Sequence, residues 1–189
     1  MKSLFTMLAD YNAWANERLF TAAALVPDRD YRADRGAFFG SLHGTLNHLL
    51  TGDLIWLHRL TGEGTELGEP RALDTILHND LASLHRARQH EDARFIRYVA
   101  SLGDSDFATG IVTYRSTRSP MDIEQQLAPL LMHVFNHQTH HRGQAHGLLT
   151  AIMGEAPSLD LLMYQRATGV SIVKGAAIDA ARPERRPGR

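Results

Sequence analysis

At 189 residues, 43% hydrophobic and 22% charged, the chain is long enough to bury a core of its own as one domain. A net charge of −1 and a pI near 6.8 give no global attraction to nucleic acid or to an anionic membrane. The absence of cysteine excludes disulfides, thiolate metal sites and a protein-borne thiol nucleophile. Any metal must therefore be held by histidine, carboxylate or amide, and any thiol must arrive on a small molecule. The first ten residues lack the unbroken apolar run and small-residue cleavage site of a signal peptide. No window approaches the roughly 18 apolar residues of a spanning helix. The expected location is the cytoplasm, without membrane or nucleic-acid partners.

In chain order, residues 3–26 predict an amphipathic helix, with Leu4, Leu8, Tyr11, Ala15, Leu19 and Ala22 spaced by three and four. Pro27-Asp28 ends it, and residues 28–40 serve as a connection. Ser41 is a good N-cap for a second helix to about Leu60, with Leu42, Leu46, Leu49, Leu50, Leu57 and Leu60 as its main stripe. Residues 62–70 are a loop by their glycines and proline. Asp74 is the expected cap of a third helix ending near Leu102, charged on one face, with Leu73, Ile76, Leu77, Leu81, Leu84, Phe95, Ile96 and Val99 on the other.

Residues 106–127 change character. Ile111 to Tyr114 favour strand, Met121, Ile123, Gln125 and Leu127 alternate, and residues 116–120 are turn-like, which predicts a small β-hairpin. Pro129 then opens a fourth helix, where its missing N–H costs nothing, and Gly154 closes it after Met153. A short fifth helix follows over residues 158–168, capped by Ser158. The expected fold is all-α: an up-down four-helix bundle with a small hairpin before the fourth helix and a short C-terminal helix. Residues 1–175 form the domain, and residues 176–189, with the basic run at 182–189, a flexible tail.

Five of the eleven histidines fall within residues 130–146. His133, His137 and His141 recur every four residues, which places them on one helix face with Cβ atoms roughly 5–6 Å apart. Two imidazoles so spaced can share one metal ion at about 2.0–2.1 Å. At about 100° per residue, Leu130, Val134, Ala145, Leu148 and Ile152 mark the inward stripe. His141 falls at its middle and His137 close to it. His133 and His140 lie on the shoulder, and His146 points away. An uncompensated imidazole on a core-facing stripe costs free energy, which favours metal over plain packing for His137 and His141. Gln144 flanks the pair as a ligand-orienting or substrate contact. A third ligand must come from elsewhere, and the second helix offers His43, His48 and His58. Periodicity does not choose among them. His48 shares a narrow face with Gly44, Thr51, Gly52 and Ile55, where small residues leave room for something bulky. His78, His85 and His90 belong to the charged third helix and are expected in solvent.

Three stretches carry a family resemblance. Asn136-His-Gln-Thr-His-His-Arg-Gly-Gln144 resembles the His-x-x-x-His-Arg-Gly-Gln signature of the DinB-like (damage-inducible) family. Asn47-His48 followed by Asp53 and Trp56 resembles its second helix, and Leu8 to Asn16 its first. The resemblance implies a four-helix-bundle metalloprotein in which His48, His137 and His141 hold one divalent ion, zinc or nickel, with positions left for water or substrate. It implies relatives that are thiol-dependent S-transferases or mycothiol-dependent maleylpyruvate isomerases, a low-molecular-weight thiol as cosubstrate, and homodimers. On this reading Asp53 orients a ligand histidine through its second nitrogen, Arg142 packs on the side away from the stripe, and Gly143 admits a neighbouring helix. The expected function is metal-dependent activation of water or of an external thiol, acting on a small molecule. The alternatives are a metal-dependent hydrolase and a non-catalytic, stress-related metal-binding or interaction protein.

Overall fold

The computed structural model describes residues 1–63, 72–115 and 121–172. The expected loop beyond Glu63, the turn at 116–120 and the C-terminal tail lie outside these residues. The described chain forms two compact units, one from Met1 to Leu159 and one from Asp160 onward. Four long helices build the first: α1 (Lys2–Ala23), α3 (Leu42–Thr61), α4 (Leu81–Ser101) and α6 (Leu127–Met153). Between them lie two short helices, α2 (Asp28–Arg32) and α5 (Asp104–Thr109), and a hairpin of β1 (Ile111–Arg115) and β2 (Asp122–Gln126). The second unit contains α7 (Leu161–Ala167). Among the described residues no helix is long and apolar enough to cross a membrane.

The long helices pack as a closed square in the order α1, α4, α3, α6. Their directions follow from paired residues. Lys2 reaches the carbonyl of Ala100 and Glu17 pairs with His85, so α1 and α4 are antiparallel. His48 meets His141 and Trp56 meets His133, so α3 and α6 are antiparallel as well. Phe5 lies against Phe135 and Asn12 against Arg142, so α1 and α6 are parallel. The chain thus runs up, down, down, up. The all-α bundle with its hairpin and C-terminal helix matches the expectation, while α3 and α4 run parallel where a simple up-down order would make them antiparallel.

Local chemistry explains most boundaries. Ser41 caps α3 as expected, its hydroxyl accepting from Gly44 N at 3.0 Å. Gly62 and Gly154 end α3 and α6 in the left-handed region, at φ 69° and 82°. Pro129 sits in the first turn of α6, which begins two residues before it, at Leu127. The hairpin pairs Ile111 with Gln126 and Tyr114 with Ile123. Its inward faces are half-buried in a strict alternation.

Four expectations need correction. The 28–40 connection contains α2 and a tight turn closed by an Ala37–Gly40 bridge. The third long helix starts at Leu81 rather than beyond Asp74, capped by Asp80, whose Oδ1 accepts from Ser83 N at 2.8 Å. Leu73 and Ile76 are therefore exposed loop residues. The buried Asn47 is the cause, because its Oδ1 accepts from the backbone N–H groups of Leu77 and His78 and holds that segment extended along α3. Residues 104–109 are helical, since Phe107 buries itself in a stack on Phe5 with ring centroids 5.2 Å apart. Finally, α7 begins at Leu161 after Asp160, not at Ser158.

The core is mostly leucine, phenylalanine and alanine, but polar side chains from all four long helices are buried beside it. Arg88 of α4 is the largest fully buried side chain. Asp92 and Glu91 beside it are also buried, so the polar side of this helix is not simply a solvated face.

Candidate metal centre

α3 and α6 cross where each carries histidines. The crossing brings one ring nitrogen each of His48, His137 and His141 within 4.8 Å of one another. Gly52, one turn after His48, makes the approach feasible. A Cβ there would sit 2.8 Å from Cε1 of His137, so the imidazole occupies the space a side chain would fill. The strip of small residues on α3 accommodates this ring.

Hydrogen bonds fix the tautomers. A carbonyl oxygen only accepts, so His48 Nδ1 must carry the proton it donates to Leu73 O at 2.7 Å. His141 Nδ1 donates to Gln144 Oε1 at 2.8 Å, and Gln144 Nε2 in turn donates to His140 Nε2 at 3.2 Å. The remaining nitrogens, Nε2 of His48 and Nε2 of His141, face each other at 3.1 Å, lone pair to lone pair. Two ligands about 2.0–2.1 Å from a tetrahedral ion are roughly 3.3 Å apart. His137 adds a buried Nδ1 with no hydrogen-bond partner. Facing lone pairs and an orphaned ring nitrogen fit a shared cation.

Electrostatics agree with that fit. Burial pushes His48 down to about 4, against the hydrogen bond to Leu73 and with help from His141. Burial, followed by the neighbouring imidazoles His141, His48, His133 and His140, takes His137 down to about 3. Burial also lowers His141, against its bond to Gln144. At neutral pH all three are uncharged bases, the form that binds metal.

The flanking residues divide by position. His133 and His140 are exposed, one turn above and beside the trio, with ring centroids 6.0 Å from His137 and 4.8 Å from His141. Gln144 contacts a cluster histidine directly. Asp53 is fully buried but does not reach an imidazole. It receives the Gln138 amide and pairs with Arg88 at 2.7 Å, while the second nitrogen of His48 goes to the Leu73 carbonyl. Five residues on from His48 is about 140° around the helix, which turns Asp53 toward α4. Arg142 is buried against α1, its guanidinium 5.2 Å from the Tyr11 ring, and a Cβ on Gly143 would meet open space.

Two contributors had no sequence signal. Phe39 stacks on His48, with centroids 3.8 Å apart and planes 18° from parallel, and presents its edge to His141. Its turn fits because residue 44 is glycine, since a Cβ there would lie 2.1 Å from the Phe39 carbonyl oxygen. Leu73 acts through its backbone, which no side-chain pattern announces.

A square of four helices with three imidazoles converging where α3 meets α6, one from α3 and two from α6, is a helical-bundle scaffold able to hold a divalent ion. The DinB family profile matches residues 1–180, nearly the whole chain, and the chain belongs to that family. It is 27% identical over 153 residues to Protein DinB of Bacillus subtilis (strain 168), an alignment covering 79% of this chain and 84% of that protein.

Proposed function

We propose that this protein is a metal-dependent enzyme that activates water or an external low-molecular-weight thiol for attack on a small electrophile. The observation that carries this reading is the convergence of His48, His137 and His141 on one point with their free nitrogens facing each other. A zinc or nickel ion held there supplies Lewis acidity that brings the pKa of a bound water or thiol toward neutrality. The chain's own residues supply the rest. Leu73 and Gln144 keep the outer imidazole protons in place, so that the inner nitrogens remain bases. Phe39 covers one side of His48 and keeps water from that face. With no cysteine in the chain, the thiol of any transfer comes from a cosubstrate.

Two measurements test this. Elemental analysis should find one equivalent of divalent metal in the purified protein and almost none in a His137→Ala, His141→Ala variant. Equal, negligible metal in both removes the reading altogether. Protein loaded with Zn²⁺ or Ni²⁺ and given a panel of cellular thiols should then conjugate model electrophiles. Turnover of ester or amide substrates without any thiol would instead assign the site to hydrolysis.

A further inference from the structure

Beside the histidine cluster runs a closed circuit of buried polar side chains that none of the proposed chemistry uses. It starts on α6 at Gln138, fully buried, whose Nε2 donates to Asp53 Oδ1 and to Leu49 O at 3.2 Å on α3. Asp53 pairs with Arg88 of α4 at 2.7 Å, and Arg88 pairs with Asp92, one turn on, at 3.1 Å. Asp92 Oδ1 accepts from Asn12 Nδ2 at 3.1 Å and Asn16 Nδ2 at 2.9 Å on α1. Both asparagines then accept from Arg142 Nη1, which returns the circuit to α6 one turn from where it began. Two arginines and two aspartates balance, and all four long helices take part.

The register of this circuit against the cluster is the informative feature. Gln138 and Arg142 each follow a cluster histidine by one residue, His137 and His141, with the same spacing of four. On α3, Leu49 follows His48 by one. Each attachment point is thus about 100° around its helix from an imidazole. Any rotation or slide of α6 that withdrew His137 and His141 would pull Gln138 and Arg142 out of the circuit and strand buried charges.

We propose that this circuit positions the metal site, fixing the rotation of α6 against α3 through Gln138, Asp53 and Arg142 so that the three histidines stay aimed at one point. A device for stability alone has little need of charge, because buried ion pairs are often replaced by apolar side chains without loss. A fixed registry is what such pairs can supply and what a metal site demands. The inference rests on the metal reading above.

The test is titration of the full, metal-free chain with Co²⁺, following the visible ligand-field bands, for the parent, Gln138→Leu and a control, Val99→Ala. The control thins a core patch on α4 away from the cluster. Gln138→Leu should bind Co²⁺ about 10–100-fold more weakly with displaced bands, while Val99→Ala keeps the parent affinity and spectrum. If Gln138→Leu fails to fold, Asn12→Ala carries the test, with a smaller loss of affinity in the same direction. A folded Gln138→Leu, or a folded Asn12→Ala in its place, that matches the parent in affinity and spectrum overturns the positioning role alone. A parent that takes up no Co²⁺ overturns the metal reading, and the positioning role with it.

Discussion

The circuit through Arg88 shares α3 and α6 with the histidine cluster, yet the two treat charge differently. In the circuit Arg88 sits between the opposite charges of Asp53 and Asp92, and Arg142 donates to two asparagine carbonyls. In the cluster three imidazoles meet with no acid among them, kept neutral by burial and by one another. Acids facing arginines satisfy one another's charge, and the circuit reads as architecture. An incomplete set of convergent bases asks for a cation. The contrast separates scaffold from site more clearly than burial does, since Asp53 is more deeply buried than any residue of the trio.

The largest effect should come from breaking the charge pairing around Arg88. Arg88→Met strands Asp53 and Asp92 in the core and should cost about 3–5 kcal/mol at pH 7, read as a lowered urea midpoint. Burial already raises Asp92, and raises Asp53 to about 6 against the pull of Arg88. Without the arginine both carboxyls gain protons more readily, so the deficit should shrink as pH falls toward 5. A deficit that did not change with pH would mean that the carboxylates find other partners.

Acid titration of the metal-free protein gives a second, smaller effect with opposite signs in the two regions. Folding depresses His48 and His137 below the ordinary 6.5, so the unfolded chain takes up protons first. Their contribution is complete above about pH 6.5 and is lost as pH falls toward 4. Asp53 works the other way. Its folded pKa lies above the ordinary 3.8, so its protonation favours the folded chain as pH drops from about 6 to 4. The parent's melting temperature should therefore fall more steeply between pH 6.5 and 4.5 than that of the His137→Ala, His141→Ala variant. Equal slopes would show that the cluster imidazoles titrate as they do in water.

These two regions were unequally legible in the sequence. His137 and His141 announce themselves because a spacing of four on a core-facing stripe is a local pattern, and the Ser41 cap and the hairpin are local too. His48 needed the family resemblance, since periodicity left three histidines open on that helix. The circuit was invisible. Arg88 lies among charged neighbours that any pattern assigns to solvent, and its burial depends on acids from α3 and α4 that fold against it. The start of α4 was misplaced for a related reason, because Asn47 captures the backbone of residues 77 and 78 from another helix. Interactions that join distant segments leave no period in the chain.

The smallest predicted change sharpens the comparison most, because it should move the site and leave the scaffold alone. Gly52 lies on α3 under His137, and a Cβ there would come within 2.8 Å of Cε1. In a helix interior alanine is favoured over glycine by roughly 0.8–1 kcal/mol. In the metal-free protein the His137 ring can tilt away, so Gly52→Ala should leave the melting temperature unchanged or slightly raised. A bound ion removes that freedom, because the ring must keep its nitrogen on a point shared with His48 and His141. Affinity for Co²⁺ or Ni²⁺ should fall by about tenfold, equivalent to roughly 1.4 kcal/mol, measured by calorimetric titration beside a melt of the chelated protein. Loss of affinity and stability together would show that His137 is locked by packing before any ion arrives. Loss of affinity alone would show that the scaffold brings the ring to the site and the ion completes its placement.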